Sequence, residues 1–88
     1  MAYINVGARV NGMRPKSKAA LRNALKDAPA TVAFDSTALM GPRAGDMITA
    51  EPADIGHDSL SVVGPDPYSA RTWYATVKIN SAGKISIS

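Results

Sequence analysis

Cysteine is absent from this chain of 88 residues, and histidine and tryptophan occur once each. Without cysteine there is no disulfide framework and no thiolate zinc site to add stability, which fits a reducing cytoplasm. A lone histidine, His57 between Asp54 and Asp58, falls short of the imidazole or carboxylate cluster that a metal centre needs. Nothing resembles the G-x-S-x-G elbow of a serine nucleophile. The carboxylates Asp35, Asp46, Glu51, Asp54, Asp58 and Asp66 are dispersed through turn-like segments, where aspartate commonly hydrogen-bonds its own backbone. The expectation is a protein that is not an enzyme and uses no metal or cofactor.

Long apolar runs are missing too, since none approaches the roughly 18 residues of a membrane span. The N-terminal MAYINVGARVNG lacks the charged start, apolar block and cleavage site of a signal peptide. The chain is therefore expected to be soluble and intracellular, with no membrane partner. Acids are in the minority: ten Lys and Arg against seven Asp and Glu give a net charge of +3, a mild bias toward polyanions.

What is present reads as one small domain, because a chain this short buries only about 60–65% of its unfolded surface and cannot support two cores. Ile4, Val6, Ala8 and Val10 alternate with Asn5, Gly7, Arg9 and Asn11, predicting a strand over Tyr3 to Val10. Asn11-Gly12 then turns the chain into a short Met13-Arg14 return that Pro15 ends. Ser17 is a good N-cap, and Leu21, Ala24, Leu25 and Ala28 share one face of a helix from Lys18 to Asp27. A helix that short lies below the roughly 12–15 residues needed for stability alone, so it must pack on a sheet.

Further strands are expected at Thr31 to Asp35, Met47 to Ala50, Ser59 to Val63, Thr72 to Ile79 and Lys84 to Ser88. Ser36 to Asp46, EPADIGHD and Gly64 to Ala70 read as loops. Trp73, Ala75, Val77 and Ile79 share one strand face, with Trp73 expected at the centre of the core. The sum is α+β: one short helix packed on a curled, mostly antiparallel sheet of five to six strands, with a small partly open barrel equally compatible.

The densest chemical signal is RPKSKAALRNALK. Arg14, Lys16, Lys18, Arg22 and Lys26 are half of the basic residues, with no acid among them. Lys18, Arg22 and Lys26 form an i, i+4, i+8 row whose mutual repulsion costs about 0.2–0.5 kcal/mol per pair. Lys16 and Lys18 also crowd the positive end of the helix dipole. A phosphate backbone relieves both costs, an acidic protein does so too, and a solvated helix face needs neither. GPRAG, residues 41–45, is superficially like a phosphate loop but lacks the following Lys-Ser/Thr, leaving Arg43 as an exposed cation at its tip. Tyr68, Arg71 and Tyr74 supply the makings of a stacking platform with a cationic edge, suited to single-stranded nucleic acid or to a protein hot spot.

The segments ARVNGMRPKSKAALRNAL, TVAFDSTALMGPRAGD and VVGPDPYSARTWYATV, which span most of the chain, resemble a family of small accessory proteins encoded by tailed phages of actinobacteria. The resemblance brings no activity, fold or site residue. It implies a protein made in the cytoplasm of a bacterial host, outside the virion structural set, that acts on a host component. Two readings follow. One is a non-enzymatic module engaging nucleic acid, or a nucleic-acid-associated host machine, through Arg14, Lys16, Lys18, Arg22 and Lys26, with Arg43 and the loop around Arg71. The other is a module binding a host protein or self-assembling as a homo-oligomer, through the edge of the C-terminal strand KISIS or through Tyr68 and Tyr74.

Overall fold

The computed structural model describes residues 3–41 and 43–88; Pro42, inside the expected loop after the second strand, lies outside the described residues. The alternation at the N-terminus forms strand β1 (Tyr3–Val10), with Ile4, Val6 and Ala8 buried. Asn11 and Gly12 both take positive φ, 53° and 79°. That pair turns the chain tightly, and Val10 and Met13 exchange backbone hydrogen bonds of 2.7 and 3.0 Å.

Helix α1 (Lys18–Asp27) has the expected bounds, with Leu21 and Leu25 buried. At its start the Ser17 hydroxyl accepts a hydrogen bond from the Ala20 N–H at 3.1 Å, and no acid in the first turn shares that task. Ser17→Ala is therefore expected to lower stability by about 1 kcal/mol. Urea denaturation checks this, the midpoint falling at unchanged slope.

After a 3-10 turn at Pro29–Thr31 come β2 (Val32–Ser36), β3 (Met47–Thr49), α2 (Pro52–Ile55), β4 (Ser59–Asp66), β5 (Ala70–Ile79) and β6 (Ile85–Ile87). The strands form one sheet in the order β3-β2-β1-β4-β5-β6. Only β1 and β4 pair in parallel; the other neighbours are antiparallel. Helix α2 touches both β3 and β5, strands far apart in that order, because the sheet curls into a half-barrel. The core lies on the concave inner face, where Phe34, Leu60, Val62 and Val77 meet Leu21 of α1 and Ile55 of α2.

Three sequence expectations change. EPADIGHD holds a one-turn helix: Pro52 starts it, and Ile55 is buried to 1%. The strand expected to stop at Val63 continues through a cis Gly64–Pro65 bond to Asp66. Proline is tolerated within this strand because the register with β5 shifts there. Trp73 is not the centre of the core but a half-buried residue at its flank, packed against it from the fifth strand of six. Its ring occupies the space over Gly64, directly across the strand pair, where a Cβ would stand 2.1 Å from Cζ2. The Trp73 Nε1 is buried with no hydrogen-bond partner among the described residues.

Candidate binding surface

The convex outer face of the sheet carries Tyr68, Arg71 and Tyr74, and a bulge contributes to this. Val63 pairs with Tyr74 and Gly64 with Trp73, but Pro65 pairs with Arg71, leaving Thr72 as the extra residue in β5. Paired residues share a face, so Tyr74 opposite Val63 and Arg71 opposite Pro65 both face outward. Strict alternation along β5 would have put Arg71 on the inner side with Trp73.

The turn between β4 and β5 then folds over the outer face of β1. Asp66 accepts the Tyr68 N–H on its carboxylate at 2.9 Å, and the Pro67 carbonyl accepts from Arg71 Nε at 2.7 Å. That carboxylate is held below its usual pKa chiefly by the Tyr68 N–H. Pro67 is buried against Gly7, whose missing side chain leaves the room: a Cβ there would lie 2.5 Å from Pro67 Cγ and 2.6 Å from Arg14 Nη1. Tyr68 and Tyr74 stay 70% and 63% exposed.

Arg14 belongs to this face, but its charge is engaged. Its guanidinium donates to both carboxylate oxygens of Asp35, at 2.6 and 2.9 Å. Those bonds hold it still more firmly protonated. The acid-free run around Arg14 in sequence is thus corrected in space by a partner 21 residues away.

Arg43 is likewise corrected. Its side chain is only 20% exposed, and it reaches Asp54 at 2.7 Å, Asp46 at 3.5 Å and Asp58 at 3.6 Å. Dispersed carboxylates therefore converge on one cation. Asp54 in turn accepts the Thr49 N–H at 2.6 Å and the Thr49 hydroxyl at 2.9 Å, which engages one N–H at the outer edge of β3. The Asp54 pKa is lowered, first by the Thr49 N–H and then by Arg43. A depressed carboxylate pKa contributes stability above its unfolded value and loses it as pH falls through the folded one. Stability is expected to drop below about pH 4, and Asp54→Asn should flatten that limb in denaturation measured from neutral to acid pH.

Lys16 and the row Lys18, Arg22 and Lys26 form no ion pair among the described residues. The row rides on α1, which packs on the inner face through Leu21 and Leu25, and Lys16 precedes the Ser17 cap. The basic row and the Tyr68–Arg71–Tyr74 surface thus lie on opposite sides of the sheet, and the candidate residues do not converge on one site. His57 is exposed and lines an open cleft of about 410 Å³ with Asp58, Lys78 and Asn80.

One readable signal was missed at the sequence level. Residues 67–88 carry Arg71, Lys78 and Lys84 and no acid, while the seven other Lys and Arg are matched by all seven Asp and Glu. The whole net charge of +3 therefore sits on β5, β6 and the turns beside them. Comparison of the chain with protein-family models, curated proteins and solved structures finds no match in any of the three.

Proposed function

We propose that this protein is a small non-enzymatic binding module whose outer face, Tyr68, Arg71 and Tyr74, engages a partner protein of a bacterial host. The observation that carries the reading is the bulge at Thr72, which turns Arg71 to the side of Tyr74 while the stapled turn brings up Tyr68. Two exposed aromatics beside a cation, on rigid backbone, are what protein hot spots are built from. The backbone that carries them is held by the turn bonds and the pairing with β4, which lowers the ordering cost of binding. Selection from a random peptide library is the test. Peptides taken by the protein should lose at least about tenfold in affinity for the Tyr68→Ala, Arg71→Ala, Tyr74→Ala triple variant. Equal binding to both would sink the reading.

The row Lys18, Arg22 and Lys26 supports nucleic-acid binding as a second reading, since no carboxylate pairs with it among the described residues. Arg14 and Arg43 lend it no free charge. A gel-shift titration with single- and double-stranded DNA and RNA at two salt concentrations decides it. Phosphate contacts strengthen steeply as salt falls, so no shift at low salt removes this reading.

A further inference from the structure

We propose that the cleft between α2, the start of β4 and the end of β5 binds the phosphate group of a small phosphorylated molecule. The inference goes beyond the outer-face reading and does not depend on it. Ile55 is buried in the core and seats α2 against β5. Gly56, at φ 61°, then turns the chain into β4, so that His57, Asp58 and Ser59 line one cleft with Lys78 and Asn80. Its volume of about 410 Å³ falls within the roughly 300–1,000 Å³ of small-molecule sites.

The free polar groups of this cleft are donors. Asn80 is fixed by its own turn: its side-chain oxygen accepts the Ala82 and Lys84 N–H groups at 2.9 and 3.1 Å, which leaves the amide nitrogen to donate elsewhere. Ser59 is only 5% exposed, and its hydroxyl makes no hydrogen bond among the described residues. The fully enclosed orphan among those residues is Trp73 Nε1 alone, so the Ser59 oxygen opens into the cleft that the residue lines. His57 adds an imidazole N–H. Lys78, exposed and without an ion pair among the described residues, adds the positive charge. The one acid in the lining is already engaged, since Asp58 reaches Arg43 at 3.6 Å.

Donor geometry selects the ligand. A planar carboxylate is matched best by the fork of an arginine, which the lining lacks, whereas a lysine point charge with separate neutral donors suits the tetrahedral oxygens of a phosphate. Pro52, Ala53 and Ile79 add apolar wall, so the cleft has room and surface for more than a bare ion.

The test uses the full chain, nitrogen-15 labelled, titrated with ribose 5-phosphate, adenosine monophosphate, ribose and acetate. At millimolar concentration both phosphates should shift the Gly56, His57, Ser59 and Asn80 amides saturably, and ribose and acetate should not. The tighter of the two phosphates shows whether the cleft prefers a sugar or a nucleoside as the body of its ligand. Lys78→Met keeps the stem and removes the charge, and should weaken binding at least about tenfold. Ser59→Ala removes one neutral donor and should weaken it about threefold. The helix triple Lys18→Glu, Arg22→Glu, Lys26→Glu should bind as the parent does, because α1 does not line the cleft. No saturable shift at these amides overturns the proposal. So does acetate binding as tightly as the phosphates, and so does binding that Lys78→Met leaves unchanged.

Discussion

Replacing Gly64 with alanine lowers the stability of this domain by about 2–3 kcal/mol, and with it the thermal midpoint by roughly 10–20 °C. The added Cβ would stand 2.1, 2.2 and 2.8 Å from three ring carbons of Trp73. Neither partner can yield cheaply. Gly64 is buried in β4 and paired across the strand with Trp73 itself, so the indole must swing out and uncover the flank of the core. The chain has a single tryptophan, so its emission reports that movement directly and should shift to longer wavelength in the folded variant. Trp73→Leu in the same background should restore part of the loss, because the two positions share one space; a double-mutant cycle reads the coupling.

Gly7→Ala is expected to cost about 2 kcal/mol and to disturb the binding surface as well. A Cβ at Gly7 would press on Pro67 at 2.5 and 2.8 Å and on Arg14 at 2.6 Å. Arg14 is pinned by two bonds to Asp35, and Pro67 belongs to the turn that carries Tyr68. Either the ion pair opens or the turn lifts. Guanidinium denaturation gives the stability, and nitrogen-15 shifts of Tyr68 and Arg71 show whether the turn has moved. A variant as stable as the parent, with those shifts unchanged, would contradict the packing described above.

The part of the fold that short-range chemistry dictates was legible. β1 follows from alternation, α1 from its apolar spacing and the Ser17 cap, and the tight turn from Asn11-Gly12. The β6 edge was also foreseeable in KISIS. What escaped depends on two strands at once or on distant segments. The bulge at Thr72 exists only as a mismatch between β4 and β5, so periodicity along β5 alone assigns Arg71 to the wrong face. The convergence of Asp46, Asp54 and Asp58 on Arg43 needs the turns on either side of β3 and α2 folded together. Arg14 looked free because Asp35 is far away in sequence but lies on the neighbouring strand, opposite Gly7.

The site changed for the same reason. Sequence placed five cations in one acid-free run and grouped Tyr68, Arg71 and Tyr74 as a second candidate platform; folding neutralises Arg14, turns the helix row to the far side, and sets Arg71 and Tyr74 on the outer face. The central claim is that this open face, not the basic helix, is where the protein binds. Its most direct test is a titration of a peptide selected from the random library against two variants side by side. The outer-face triple Tyr68→Ala, Arg71→Ala, Tyr74→Ala should weaken binding by at least about tenfold, and the helix triple Lys18→Glu, Arg22→Glu, Lys26→Glu should bind as the parent does. The reverse pattern, with binding lost in the helix variant and kept in the outer-face variant, would contradict the account.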